Sequence, residues 1–366
     1  MGPLSGIRIV ELAGVGPGPM CAMLLADLGA DIIRVDRLTP SGLGVQRPLR
    51  FNLTLRGRKA ISLDLKTAEG RETVLKLVER ADALIEGFRP GVTERLGLGP
   101  DDCLRRNPGL VYGRITGWGQ TGPLSAAAGH DLNYIALTGA LGAIGREDQP
   151  PSPPLNLVGD FGGGSLYLAM GILSALIERQ KSGLGQVVDA AIVDGAASLM
   201  TQFFGMTAAG LWNDRRGTNV LDSGAPFYDV YECADGRFIS VAPIEHKFLE
   251  ELIDHMKLPS GSADLAKEKR HWPELRRLLS SAFRSESCAH WCEILEGSDG
   301  CIAPVLSIEE APQHRHLEAR ATFINIDGVI QPAPAPRFSR SQPAQPIPPQ
   351  PPQSADVSEA LAAWLA

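Results

Sequence analysis

Two short segments bring an imidazole and a carboxylate next to glycine-rich backbone. Residues 129–134 are Gly-His-Asp-Leu-Asn-Tyr, and residues 157–164 are Leu-Val-Gly-Asp-Phe-Gly-Gly-Gly. His130 and Asp160 can each take up or release a proton near physiological pH, and the backbone N–H groups around them can hold a developing negative charge. The pattern therefore indicates a two-base proton-transfer site that works through an enolate. By position alone, a helix cap or a turn is the commoner role for such residues.

Other chemistries have weaker support in the sequence. The segment Gly-Val-Gly-Pro-Gly at 14–18 follows a predicted strand, and Asp36 stands about twenty residues further on, which mimics a dinucleotide-binding fingerprint. The segment lacks the third glycine of that fingerprint, so it predicts a tight turn that exposes backbone to another phosphorylated ligand. Cys288 and Cys292 are one helical turn apart without a second ligand pair, which favours packed thiols over a metal site. We therefore expect no metal, nicotinamide or flavin.

Composition narrows the class of protein further. The 366 residues are 44% hydrophobic and 21% charged, as in ordinary globular proteins, and the length favours two domains. A formal net charge of −7 argues against a nucleic-acid-binding surface. Six scattered cysteines fit reduced thiols, the start of the chain lacks a signal-peptide pattern, and no apolar run approaches the ~20 residues of a membrane span. These features predict a cytoplasmic protein without a membrane span.

The first third of the chain has the pattern of an α/β protein. Short β-branched runs alternate with helical stretches, as in parallel strands joined by crossover helices, and we predict a Rossmann-like open parallel sheet. The predicted strands are 7–11, 32–35, 83–86 and 110–116, and the predicted helices are 20–28 and 67–79, the latter capped by Thr67. Arg37, Lys66 and Arg89 each follow a predicted strand or turn, where loops form the usual ligand crevice and can bind phosphate groups.

The rest of the chain predicts a second, smaller domain. The predicted elements are a buried helix at 165–180, a strand at 186–190, an apolar helix at 192–208, a hairpin of 228–233 with 237–241, amphipathic helices at 247–256, 272–283 and 287–296, and a final helix at 357–365. Nine prolines between Pro332 and Pro352 predict an extended return segment. We predict a large domain 1–190 completed by 332–366, a linker 191–223, a small α+β domain 224–320 and a return linker 321–331.

A family resemblance runs along nearly the whole chain. The motifs that carry it are Val-Glu-Leu-Ala-Gly at 10–14, Arg-Val-Asp-Arg at 34–37, Leu-Asp-Leu-Lys at 63–66, Gly-Phe-Arg-Pro-Gly-Val at 87–92, Thr-Gly-Trp-Gly-Gln-Thr-Gly at 116–122, Pro-Leu-Asn-Leu at 154–157, Gly-Gln-Val-Val-Asp-Ala at 185–190, Gly-Ala-Pro-Phe-Tyr at 224–228 and Pro-Ala-Pro at 334–336. These motifs and the two segments 129–134 and 157–164 occur in the same order in the alpha-methylacyl-CoA racemases. The chain therefore resembles that family, which has the family III CoA-transferase fold.

The resemblance implies specific roles. It implies an interlocked homodimer, a cofactor-independent exchange of (R)- and (S)-2-methylacyl-CoA thioesters, and His130 and Asp160 as the two proton-transferring groups. Glu245 resembles a family acid that approaches the catalytic histidine from the small domain, either of the same chain or of the partner subunit, although His246 stands where the family has proline. The residues that the resemblance or the loops place at the acyl-CoA substrate are Arg37, Leu63, Asp64, Leu65, Lys66, Arg89, Gly129, Asp131, Leu132, Asn133 and Tyr134. Asp131 either assists His130 or caps the helix that starts there.

Two other functions remain open at the level of sequence. A CoA-transferase of the same fold would use Asp160 as a nucleophile and form an acyl anhydride and then an aspartyl-CoA thioester. Relatives that use this aspartate as a nucleophile generally lack the histidine of the Gly-His-Asp segment, so His130 favours the racemase. A non-catalytic CoA-ester binding protein is the third possibility, against which the retention of both ionisable groups argues.

Overall fold

The chain forms two compact units in the computed structural model, which describes residues 1–39, 41–352, 362 and 364. The first unit consists of Met1–Thr138, Leu155–Met200 and Glu318–Ala366, and the second of Gly139–Pro154 and Thr201–Leu317. Both segments that carry the predicted proton-transferring groups, 129–134 and 157–164, lie in the first unit.

The described elements are as follows. The strands are β1 Arg8–Leu12, β2 Asp31–Asp36, β3 Lys59–Ser62, β4 Ala83–Glu86, β5 Val111–Thr116, β6 Val187–Ala191, β7 Asp229–Glu232, β8 Phe238–Val241, β9 Ile302–Pro304, β10 Phe323–Ile326 and β11 Val329–Pro332. The α-helices are α1 Pro17–Asp27, α2 Ala68–Val78, α3 Val92–Leu96, α4 Pro100–Arg106, α5 Asp131–Leu137, α6 Ala140–Ala143, α7 Tyr167–Ser182, α8 Ile192–Leu199, α9 Thr201–Ala208, α10 His246–His255, α11 Trp272–Phe283, α12 Cys288–Leu295 and α13 Arg315–Ala319. A π-helix spans Leu157–Leu166 and runs directly into α7.

A six-stranded parallel sheet organises the first unit. Its strand order is β3-β2-β1-β4-β5-β6, and this Rossmann order confirms the predicted fold class. Successive strand residues such as Ile9 and Val10, or Ile32 and Ile33, are all buried, because helices cover both faces of the sheet. The carboxyl ends of all six strands lie at one edge, with the change of chain direction between β1 and β4. This edge is where open α/β sheets bind ligands.

Most predicted elements are confirmed, with bounds that differ by at most three residues, and the exceptions are of three kinds. Strands that were not predicted include β3, which has only four residues and begins with exposed Lys59, and the short strands β9, β10 and β11. The predicted helix 192–208 is divided at Met200 into α8 and α9. The predicted helix at 165–180 is α7 preceded by the π-helix, and it ends at Gly183, whose φ of 75° is the left-handed cap conformation.

The second unit contains the predicted hairpin. Strands β7 and β8 are antiparallel, and β9 extends them to a three-stranded sheet. Helices α10, α11 and α12 bury one face each against this sheet, through residues such as Leu252, Leu279 and Trp291.

The C-terminal segment returns to the first unit. The proline-rich stretch from 333 to 352 is free of helix and strand, as predicted. The predicted final helix at 357–365 lies outside the described residues except for Ala362 and Trp364, which are both helical. Trp364 is buried in the core of the first unit, and its indole N–H donates a hydrogen bond of 2.7 Å to Asp31 Oδ2.

The continuous helix Leu157–Ser182 is long and apolar enough, by length and composition, to cross a membrane. The expectation that no apolar run approaches that length was therefore wrong. The most apolar 18-residue stretch of this helix has a mean hydropathy of 1.4, and 39% of that stretch is buried inside the fold. A core helix of a globular domain can have the same length and apolar composition. The buried residues of α7, including Leu168 and Ile172, belong to the main core.

Glycines allow the π-helix and α8 to cross at unusually short distance. A Cβ atom on Gly195 of α8 would lie 1.9 Å from the carbonyl oxygen of Gly163, and a Cβ atom on Gly163 would lie 2.6 Å from the backbone nitrogen of Ala196. Real Cβ atoms do not approach backbone this closely. The position of the π-helix therefore depends on the lack of side chains at this crossing.

We expect Gly195→Ala to lower the free energy of unfolding by about 1–3 kcal/mol, because the added methyl group forces the two helices apart. Gly205→Ala is the matched control, since Gly205 is also inside a helix but a Cβ atom there meets nothing within 4 Å. Alanine at 205 should be neutral or stabilise by up to about 1 kcal/mol. Urea denaturation of both variants measures the difference, and equal stabilities would contradict the close crossing.

Candidate active site

Asp160 lies in the first turn of the π-helix and is half-buried. Burial raises the pKa of its carboxyl group, and the nearby charge of Asp131 raises it further, while a hydrogen bond from Asn156 and the charge of His130 lower it. The side-chain amide of Asn156 donates to Asp160 Oδ2 over 3.4 Å. A carboxyl group whose pKa lies above the ordinary value can act as an acid as well as a base near neutral pH.

His130 immediately precedes α5 and is its N-cap residue. Its backbone N–H donates a 3.0 Å hydrogen bond to Oδ1 of Asn133, so the exposed Asn133 fixes the start of the helix. The imidazole itself is exposed and lies close enough to Asp160 for the two charges to interact. The structure thus brings together the two groups that the sequence singled out.

Asp131 joins these two segments. Its side chain is 7% exposed, and Oδ1 accepts a 2.6 Å hydrogen bond from the backbone N–H of Asp160. A Cβ atom on Gly159 would lie 2.4 Å from the same Oδ1, so only glycine fits between the carboxylate and the π-helix. Burial raises the pKa of Asp131, and hydrogen bonds from the backbone of Asp160 and Gly159 oppose this rise.

Two expectations about these residues need correction. Asp131 does not cap α5, because His130 occupies the cap position and the Asp131 side chain bonds to the π-helix instead. The backbone N–H of Asp160 was expected to be available to an oxyanion, but it already donates to Asp131.

Tyr134 anchors the loop that carries His130. It is 8% exposed, and its hydroxyl group donates a hydrogen bond to the carbonyl oxygen of Gly129. Its ring contacts Trp118 edge-to-face, with 4.8 Å between the centroids. A Cβ atom on Gly129 would lie 2.8 Å from the Tyr134 ring, and one on Gly117 would lie 2.0 Å from it. Tyr134 therefore belongs to the packed base of the site, whereas Leu132 is exposed on its rim.

Arg37 and Arg89 are exposed cations at the carboxyl ends of β2 and β4. The Arg37 guanidinium lies over the ring of Phe88, 5.7 Å from its centroid. This contact holds the side chain beside the segment that carries Arg89. The charge of Arg89 lowers the pKa of the Tyr134 hydroxyl, which burial and the charge of Asp160 raise. Arg89 is thus within electrostatic range of the site.

The segment 63–66 after β3 has a mixed role. Leu63 and Leu65 pack against the hydrophobic core, whereas Asp64 and Lys66 are exposed. Asp64 Oδ1 accepts a 3.0 Å hydrogen bond from the backbone N–H of Lys66, which shapes the turn. Of these four predicted substrate-binding residues, Lys66 is the one that presents a cation.

Glu245, the third predicted catalytic residue, lies in the second unit. It is exposed and is the N-cap residue of α10. Its predicted contact with His130 stays a prediction.

Sequence reasoning missed several residues that position Asp160. A Cβ atom on Gly16, in the β1–α1 turn, would lie 3.3 Å from Asp160 Oδ2. Ser165 hydrogen-bonds to the carbonyl oxygen of Asp160. The glycine pattern at 14–18 did signal a close approach of backbone, but its target is the Asp160 carboxylate, and this contact between distant segments leaves no local pattern.

The arrangement suits proton transfer. The imidazole of His130, which precedes α5, and the carboxyl group of Asp160 on the π-helix lie near each other, and each can take up or release a proton. Among the described residues, no group of three or more His, Cys, Asp or Glu side chains has the geometry to hold a metal ion. A cavity of about 580 Å³ lies elsewhere in the first unit, between β10 and the proline-rich segment, and contains neither His130 nor Asp160.

Known proteins show the same organisation. Residues 4–356 match the model of CoA-transferase family III. The chain is 45% identical to the alpha-methylacyl-CoA racemase of Mus musculus, over 92% of this chain and 87% of the relative, and 43% identical to that of Homo sapiens, over 91% and 86%. The crystal structure of a CAIB/BAIF family protein from Brucella suis covers all of both chains with a TM-score of 0.80 and 27% identity. The chain therefore belongs to the CoA-transferase family III and is, within it, closely similar to the alpha-methylacyl-CoA racemases.

Proposed function

We propose that this protein interconverts (R)- and (S)-2-methylacyl-CoA thioesters by removing and returning the α-proton. The observation that carries the proposal is the pairing of exposed His130 with half-buried Asp160, whose pKa is raised, on two different elements of one site. The similarity to racemases from two mammals supports the same conclusion.

The proposed reaction needs two proton-transferring groups. The proton next to a thioester is acidic only because the resulting enolate places its charge on the thioester oxygen. One group removes the proton from one face, and the other delivers a proton to the opposite face. His130 and Asp160 serve these two faces, and their roles exchange when the reaction runs in reverse. Glu245 assists His130 by orienting its imidazole and stabilising the charged form.

The CoA moiety binds away from the reacting carbon in this proposal. Arg37, Lys66 and Arg89 are exposed cations at the sheet edge and can form charge-assisted hydrogen bonds to its phosphate groups. Such contacts are the same in the ground state and the transition state, so they contribute to binding and not to the chemical step.

A CoA-transferase mechanism is the second candidate. It would make Asp160 a nucleophile, for which an ionised carboxylate is required. The raised pKa of Asp160 and the neighbouring His130 favour acid–base chemistry instead. A non-catalytic CoA-ester binding protein would need neither group.

We also propose that the protein forms a homodimer and works in a reducing compartment. Helix α9 carries Phe203, Phe204 and Met206 yet buries none of its residues within the chain, which supports a homodimer in which a partner covers it. All six cysteines are free thiols, which supports a reducing compartment such as the cytoplasm.

His130→Ala and Asp160→Ala should each slow racemisation about a hundredfold or more, because each removes a positioned acid or base. Each variant should still exchange the α-proton of one enantiomer with solvent while failing to invert it. Deuterium uptake from each pure enantiomer in heavy water, without an acceptor acid, measures both effects. Wild-type rates in His130→Ala would refute the two-base assignment.

The same experiment separates the alternatives. In a CoA-transferase, Asp160→Ala abolishes acyl exchange between CoA and a free acid, and His130→Ala has little effect. A binding protein without activity shows no deuterium uptake in any form of the chain. Glu245→Gln tests the proposed role of Glu245 in orienting His130. The racemisation rate of this variant should lie between those of the wild type and His130→Ala.

Arg37→Ala should raise KM for the CoA ester by about tenfold and change kcat little, because a phosphate contact is shared by ground and transition states. Arg105→Ala is the matched control, since Arg105 is an equally exposed arginine on α4 that pairs with Asp102. Steady-state kinetics of both variants check this. A fall in kcat at unchanged KM would place Arg37 in the chemistry.

Turnover should need no added metal, nicotinamide or flavin, because the reaction moves a proton and no net electrons. Dialysis against a chelator, followed by a racemisation assay, measures this requirement. Activity that is lost on dialysis and restored by one particular metal would contradict the proposal.

A further inference from the structure

A buried hydroxyl group links the backbone of Asp160 to the β1–α1 turn. Ser165 is fully buried, and its Oγ lies 3.0 Å from the carbonyl oxygen of Asp160 and 2.8 Å from the carbonyl oxygen of Pro17. A hydroxyl group has one proton and both partners are acceptors, so this proton is shared between the two carbonyl groups. Ser165 therefore bridges two segments that are 143 residues apart in sequence, as the numbers of Asp160 and Pro17 give.

The bridge sits where the turn and the π-helix are already in tight contact. A Cβ atom on Gly164, next to Ser165, would lie 3.2 Å from Cβ of Pro17. A Cβ atom on Gly16 would lie 3.3 Å from Asp160 Oδ2. Gly16 has a φ of 72°, a left-handed value that favours glycine. The turn thus places bare backbone against the Asp160 carboxylate.

The backbone of Asp160 is held on both sides of its Cα atom. Its N–H donates to Asp131 Oδ1, and its carbonyl oxygen accepts from Ser165. The first of these contacts fixes the π-helix against α5, which carries His130. The second lies within the π-helix, and the same Ser165 hydroxyl group reaches the β1–α1 turn through the carbonyl oxygen of Pro17, 2.8 Å away. Because the backbone on both sides of the Asp160 Cα is held, the direction in which the carboxyl group leaves the backbone is held as well.

We propose that Ser165 is a positioning residue for the racemase reaction: its hydroxyl group ties the β1–α1 turn to the backbone of Asp160 and so keeps the Asp160 carboxyl group aimed at the substrate α-carbon and shielded by Gly16. This inference rests on the proposed function. Ser165 is fully buried and touches no substrate atom. It acts through Asp160 and through the turn that covers it.

Loss of the tie has a defined kinetic consequence. Without the hydroxyl group, the turn can move away from Asp160 and water can reach the carboxyl group. Burial is the main cause of the raised pKa of Asp160, so this pKa falls toward the ordinary value of a carboxyl group. The acid limb of the pH–rate profile, measured for the enantiomer from which Asp160 removes the proton, then moves to lower pH. Binding of the remote CoA moiety is unaffected.

The test compares Ser165→Ala, Ser165→Cys and Ser198→Ala. Ser165→Ala should lower kcat by about tenfold or more, leave KM within about twofold and move the acid limb to lower pH. Ser165→Cys keeps a weak donor of similar size and should lie between Ser165→Ala and the wild type. Ser198→Ala is the control for the loss of a serine hydroxyl group at another position, since the Ser198 hydroxyl group accepts a 2.7 Å hydrogen bond from Tyr167 on the neighbouring helix. It should keep the wild-type profile.

The outcomes distinguish this inference from the proposed function. If the wild type exchanges the α-proton but Ser165→Ala keeps the wild-type kcat and pH profile, the positioning role is wrong and the racemase proposal stands. If the wild type itself shows no exchange, the racemase proposal fails first. If Ser165→Ala is too unstable to assay, Ser165→Cys decides: a lower kcat with a displaced acid limb supports the tie, and a folded variant with a wild-type profile overturns it.

Discussion

The site depends on the close contact of glycine-rich backbone around the π-helix Leu157–Leu166. Gly163 lies against Gly195 of α8, Gly159 against the carboxylate of Asp131, and Gly16 of the β1–α1 turn against the carboxylate of Asp160. The first two contacts are shorter than a side chain would allow, and the third leaves a Cβ atom only 3.3 Å from the Asp160 carboxylate. Since the backbone has few internal degrees of freedom, contacts of this kind fix Asp160 more closely than contacts between flexible side chains would.

The π-helix itself fits a functional role. Such helices are rare and occur frequently at functional sites, because the wider turn changes the direction of side chains relative to an α-helix. Here the π-helix ends where α7 begins, and α7 is anchored in the main core by Leu168 and Ile172. The segment that carries Asp160 is thus an extension of a core helix. Because α7 packs against the sheet, the start of this helix holds the segment that carries Asp160 in a fixed position.

Electrostatics in the site follow from burial. Oδ1 of Asp131 accepts a hydrogen bond from the backbone N–H of Asp160, and burial raises the pKa of both carboxyl groups. Their mutual repulsion acts in the same direction for Asp160. Exposed His130 is the nearby group that favours the ionised form of Asp160 by its charge. Half-buried Asp160 and exposed His130 have different environments. Such a pair suits the proposed reaction, in which one group removes a proton from one face of the substrate and the other returns a proton to the opposite face.

The sequence by itself determined the fold class and the identity of the central groups. Alternation of apolar strands and helices predicted the parallel sheet, and the segments around His130 and Asp160 singled out the two groups on which the proposed chemistry rests. Local patterns of this kind persist because each strand and helix must bury its own apolar residues. Only the tertiary structure decided how Asp160 is held. The bond from Asp131 to the Asp160 backbone, the approach of Gly16 to Asp160 and the contact of Ser165 with Pro17 join residues that are distant in sequence, and contacts between distant residues leave no periodic pattern to read.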